Sequence, residues 1–171
     1  MNPRSIHILI LIAGFLALLQ IGCADTTNPY FQPPDLTTVP DLPDTTQLDL
    51  IHTQKDLQVY RVNEGSGKWS VQGRTGEGMN AFVTMRLKDE ENTVLQSTYA
   101  DERTTAEQVN TSDLIDPRGL LDGVIGMKQG ERRIIVVGPS MGFADADQTS
   151  QFYMYREETL IYDFEVERIH Y

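Results

Sequence analysis

The side chains able to do covalent or metal chemistry are few in this chain, and their spacing works against it. The three histidines are His7, His52 and His170, and the single cysteine is Cys23. None of these falls into a zinc-ligand or triad spacing, and no glycine-rich phosphate loop is present. Carboxylates are plentiful, but Asp89-Glu90-Glu91 and Glu157-Glu158 read as solvated turn charges rather than as an acid and a base flanking a substrate. A lone cysteine excludes a disulfide within the chain. A formal net charge of −11 excludes binding of nucleic acid or an anionic lipid surface through the net field. Any activity must therefore come from a pocket that works without a nucleophile or metal.

Residues 118–137 read as a short helix, a glycine stop and a buried strand. Asp116 is placed to cap a helix whose first residue is Pro117, where a missing N–H costs nothing. Leu120, Leu121, Val124, Ile125 and Met127 form an apolar stripe at helical spacing, although Gly119, Gly123 and Gly126 weaken the propensity. Gly130 supplies a left-handed exit, and residues 132–137 form a buried strand that Gly138-Pro139 ends. Residues 57–62, 81–87 and 93–98 read as further strands, with Trp69 anchoring the first hairpin. At the end of the chain Leu160, Tyr162, Phe164 and Val166 face one way while Asp163, Glu165 and Glu167 face the other. This pattern predicts an α+β fold, a curved antiparallel sheet wrapped around one short helix, over residues 56–171. The polar segments 99–113 and 144–156 read as loops, or as the frame of a groove.

The N-terminus points to a compartment. Arg4 precedes an apolar stretch over residues 8–19, which is too short to span a bilayer comfortably and has no basic stop-transfer cluster after it. Gly22-Cys23 at its end resembles a bacterial lipobox, although Gln20 stands where leucine is usual. The resemblance implies cleavage after residue 22 and acylation of Cys23, hence membrane attachment through a lipid anchor in the bacterial cell envelope, with Ala24 favouring the outer membrane. An ordinary secretory signal is the alternative. Residues 23–55 hold Pro29, Pro33, Pro34, Pro40 and Pro43 among acidic and threonine residues, with no Lys or Arg before Lys55, and read as an extended tether. The other reading of that segment is a docking peptide built on Tyr30-Phe31 or on Leu48, Leu50 and Ile51.

Four runs carry a family likeness. Gly119-Leu120-Leu121-Asp122-Gly123-Val124 with Met127, Gly130-Glu131-Arg132-Arg133, Gly138-Pro139-Ser140-Met141-Gly142-Phe143, and Leu160-Ile161-Tyr162-Asp163-Phe164-Glu165-Val166 follow in order. Together they resemble the C-terminal half of an FKBP-type peptidyl-prolyl isomerase domain, the likeness spanning roughly residues 59–169 and resting in its first half on residues 83–87 and 94–98. It implies cis/trans exchange of X-Pro bonds in proline-containing segments of envelope proteins. It also implies a proline bowl made by Phe143, Tyr162 and Leu120, with Val83, Leu95, Gln96 and Ile115 around it, and no cofactor. Several positions depart from the family pattern. Phe143 lacks the hydroxyl of the usual tyrosine, Leu95 replaces an aromatic, and Val83 and Gln96 stand where a tyrosine and an aspartate are usual. A substrate-binding backbone N–H falls either on Ile115, which has one, or on Pro117, which does not. A binding or chaperone module with the fold but without the catalysis is the alternative function. Nothing in the sequence sets the client or the oligomeric state.

Overall fold

The alternation of the last strand organises the molecule. In the computed structural model, which describes residues 33–170, Leu160–His170 sends Leu160, Tyr162, Phe164 and Val166 into the core, each at most 3 % exposed. Seven strands make one antiparallel sheet among the described residues. They are β1 (Asp49–Gln54), β2 (Leu57–Asn63), β3 (Gly78–Leu87), β4 (Val94–Ser97), β5 (Glu107–Asn110), β6 (Arg132–Val137) and β7 (Leu160–His170). Their order is β1-β2-β6-β7-β3-β4, with β5 also paired to β3. The expected α+β sheet around one helix is therefore what the chain forms. Register places Val83 opposite Phe164 and Met85 opposite Tyr162 across β3 and β7, and Ile135 opposite Tyr162 across β6 and β7.

The helix α1 (Arg118–Val124) lies against the concave face. Its glycines, which weaken it as an isolated helix, are what let it approach the sheet. A Cβ on Gly123 would come within 2.5 Å of the Ile135 Cγ2, and one on Gly119 within 2.8 Å of the Val137 Cγ1. Leu120 and Val124 are thereby buried beside Ile135, Val137 and Phe164, each large apolar side chain contributing about 2 kcal/mol. Both ends of the helix differ from expectation. Pro117, not Asp116, is the N-cap residue, and no side chain caps it. The left-handed residue that follows the helix is Gly126 (φ 83°), while Gly130 (φ 81°) serves the turn into β6.

Arg133 and Glu131 tie the C-terminal end of α1 to the sheet. The Arg133 Nε donates to Glu131 Oε1 at 2.6 Å, and its Nη1 donates to the carbonyls of Gly123 and Ile125 at 2.8 and 3.1 Å. Glu131 Oε2 accepts the Lys128 N–H at 2.9 Å. Arg132 points the other way and holds Asp163 in a two-pronged pair of 2.8 and 2.6 Å on the outer face. Trp69, expected to anchor a hairpin, is 62 % exposed with the Lys68 Nζ over its ring, and Val71 supplies the buried residue of that segment.

The expected tether boundary at residue 55 moves to residue 34. Residues 49–54 form β1 on β2, so His52 belongs to a strand, and Pro34 begins the compact unit that runs to the end of the chain. Leu42 and Leu48 pack on Ile134, Val136 and Ile161 on the outer face of the sheet, and Arg86 Nη2 donates to the Pro40 carbonyl at 2.6 Å. The physical cause is the apolar outer face of β6 and β7, which residues 40–48 take out of water. The signal segment and Cys23 lie outside the described residues.

Candidate functional site

Between the concave face, α1 and the loops lies a cavity of about 450 Å³. Strand β3 brings Val83 and Met85 to it, β4 brings Leu95 and Gln96, and β7 brings Tyr162. Leu120 comes from the first turn of α1, and Phe143 from the segment just after the 3-10 turn Pro139–Met141 that follows β6. Six of the seven expected site residues therefore meet around one space. Ile115 does not. It is 58 % exposed and borders a separate, more polar depression beside Arg118 and Ser140. Pro117 takes the position on the cavity wall, and having no N–H it offers no donor there.

The lining is largely apolar and closely held. Phe143 is 2 % exposed, Leu120 5 % and Tyr162 3 %. Phe152 stacks flat on Phe143, with centroids 4.4 Å apart and planes 5° from parallel. Phe152 arises from the polar segment 144–156, where the only signal of its role is that it is the single phenylalanine. Pro34, Leu36, Asp101 and Asp116 also line the cavity, and the sequence pattern assigned none of them to the site. At the mouth, Asp101, Glu107, Asp113 and Asp116 outnumber Arg103, which itself pairs with Glu107 at 2.9 Å, so the mouth carries a negative field.

One polar atom of the wall is unusual. The Tyr162 hydroxyl is buried and has no hydrogen-bond partner among the described residues. Burial, reinforced by the nearby Asp116 carboxylate, pushes its pKa well above the ordinary phenol value, so it remains a protonated donor. A buried hydroxyl without a partner carries a desolvation cost of about 1–3 kcal/mol. Tyr162→Phe is therefore expected to stabilise the protein by about 1 kcal/mol, read as a higher urea midpoint at unchanged slope. A lower midpoint would mean that the hydroxyl has a partner in solution.

Among the described residues no group of three or more His, Cys, Asp or Glu side chains is arranged to hold a metal ion. What the cavity can do is enclose a small apolar ring against Phe143, Phe152, Leu120 and Tyr162, with its charged groups gathered at the mouth.

Comparison with known proteins bears on what that ring is. The family model described as FKBP-type peptidyl-prolyl cis-trans isomerase matches residues 72–167. Among solved structures, the N-terminal domain of FKBP42 from Arabidopsis thaliana is similar with a TM-score of 0.55 at 19 % identity, covering 78 % of this chain and 99 % of that one. Wheat FKBP73, a structure of three FKBP domains, has a TM-score of 0.51 at 19 % identity, with 67 % of this chain and 46 % of that one covered. FkpA from Escherichia coli has a TM-score of 0.50 at 18 % identity, with 66 % and 47 % covered. No curated protein matches the sequence.

Proposed function

Because the chain belongs to the FKBP-type peptidyl-prolyl cis-trans isomerase family, we propose that its cavity takes the proline ring of an X-Pro segment and speeds exchange about that bond. The uncatalysed exchange takes tens to hundreds of seconds, slow enough to limit folding. The barrier is the loss of amide resonance, about 18–20 kcal/mol. A twisted amide has less charge separation than a planar one. An apolar wall that the bound segment shields from water therefore favours it over the ground state, with no covalent step. The observation that supports this reading is the enclosure of one cavity by Phe143, Phe152, Tyr162, Leu120, Val83 and Leu95. Phe143, Tyr162 and Leu120 would form the bowl, with Val83, Leu95 and Gln96 at its sides. The test is exchange spectroscopy on a short X-Pro peptide with the full chain added, in which catalysis appears as faster cis/trans exchange.

A second reading keeps the cavity and loses the catalysis. It is favoured by the flat stack of Phe152 on Phe143, which already occupies one face of the bowl ring. Val83 and Gln96, where the family pattern has a tyrosine and an aspartate, add to it. Such a protein would hold apolar, proline-containing segments without accelerating their exchange, and the same spectra would show binding shifts at an unchanged rate.

For location, we propose a lipoprotein of the bacterial envelope, with the outer membrane favoured and envelope proteins as clients. The support is the apolar stretch of residues 8–19 followed by Gly22-Cys23. Cys23→Ser is expected to abolish incorporation of labelled palmitate and to release the protein from membranes. Retained label in that variant would refute the anchor.

A further inference from the structure

We propose that residues 34–40 act as a strap forming one wall of the cavity, and that Leu36 on it selects an apolar residue beside the proline. This rests on reading the cavity as an X-Pro site. Pro34 and Leu36 line the cavity, and Leu36 is half-exposed at its mouth rather than buried in the core.

The strap is clasped on both sides of Leu36. The Asp35 N–H donates to Asp101 Oδ1 at 2.8 Å, and the Asp101 N–H returns a bond to the Asp35 carbonyl at 2.9 Å. The Thr38 Oγ1 donates to the Tyr99 carbonyl at 2.8 Å and accepts the Glu102 N–H at 3.3 Å. The Asp35 carboxylate is turned inward on the strap, accepting from the Thr37 N–H and hydroxyl at 2.9 and 2.7 Å. On the sheet side, the Tyr99 ring is stacked on Phe82 at 4.7 Å.

The clasp has an unusual backbone. Asp101 (φ 59°) and Glu102 (φ 58°) are consecutive residues in the left-handed region, and neither is glycine. Such conformations persist only where the surroundings enforce them. Here both N–H groups they present go to the strap, so the strained turn and the strap hold each other. A Leu36 side chain fixed in this way is an apolar surface beside the bowl. A substrate with its ring in the bowl must lay a neighbouring side chain across that surface, where an apolar group gains burial and a charged one loses water.

The test uses the full chain and X-Pro peptides carrying Leu or Ala before the proline, or Leu or Ala after it. Wild type is expected to prefer Leu over Ala at one of these positions by about fivefold in kcat/KM, the discrimination that a partly buried apolar contact supplies. In Leu36→Ala the preference is expected to fall to near unity. Asp101→Gly accommodates the positive φ but removes one bond to the strap, and is expected to lower the preference part way. Leu50→Ala, exposed on β1, is the control in which the preference persists. If the peptides bind without acceleration, the same ratios are read from affinities. A preference unchanged by Leu36→Ala, or no preference in wild type, overturns the role of Leu36 while leaving the cavity reading intact. Absence of both binding and acceleration in the folded wild type overturns the cavity reading and this inference with it.

Discussion

Arg133→Ala is expected to cost about 4 kcal/mol of folding stability. The side chain is 8 % exposed and its partner Glu131 4 %. Truncation leaves the Glu131 carboxylate buried with Arg61 as its nearest remaining cation, at 3.6 Å, too long for a hydrogen bond. It also strips the carbonyls of Gly123 and Ile125 of the donor that ends α1. The Glu131 carboxylate and the Gly123 carbonyl are buried, where a charge or acceptor that loses a hydrogen-bond partner costs most. Replacing both partners, as in Arg133→Met with Glu131→Leu, is expected to recover only part of the loss: no buried carboxylate is then left alone, but the Gly123 and Ile125 carbonyls and the Lys128 N–H still lack their partners, and Arg61 keeps only Glu64. Denaturant unfolding checks both variants. A single-variant cost below about 1 kcal/mol would show that the pair is solvated, and that the Gly-Glu-Arg-Arg run has some role other than fastening the helix.

Phe143→Ala is expected to lower peptide isomerisation about a hundredfold, because the bowl loses its ring and the Phe152 ring loses the surface on which it stacks. At 2 % exposure the truncation also opens a cavity costing about 3 kcal/mol. Phe143→Leu separates the two effects. It keeps most of the volume, is expected to cost under about 1.5 kcal/mol in stability, and is expected still to lose about tenfold in rate. Equal activity in wild type and Phe143→Leu would mean that the ring is packing alone. Stability and peptide exchange measured on the same samples decide between these outcomes.

Much of the sheet was legible because its strands obey a period of two with one face buried. The run Leu160, Tyr162, Phe164, Val166 and the apolar block Ile134 to Val137 both read directly as strands. The helix was legible in place but not in its purpose. Gly119 and Gly123 look like defects until Ile135 and Val137 are seen pressing against them, a tertiary contact that no local propensity encodes. Residues 34–54 belong to the folded unit and not to a tether, because proline and aspartate composition describes only a chain unable to build its own core. That is no barrier to covering an apolar face supplied by others. Leu36, Leu42 and Leu48 have no helical or strand period, so no pattern announced them. In the site, the residues on regular elements and in the quoted family runs came together. Ile115, Phe152 and the strap sit on irregular backbone, where a shift of a residue or two decides whether a side chain faces the cavity or water.

The measurement that tests the central claim most directly is the cis/trans exchange rate of a short X-Pro peptide, read by exchange NMR, with the folded full-length chain and its Phe143→Ala variant. Acceleration by wild type that is largely lost in the variant is the predicted result. An unchanged exchange rate in the presence of folded wild-type protein would contradict isomerase activity.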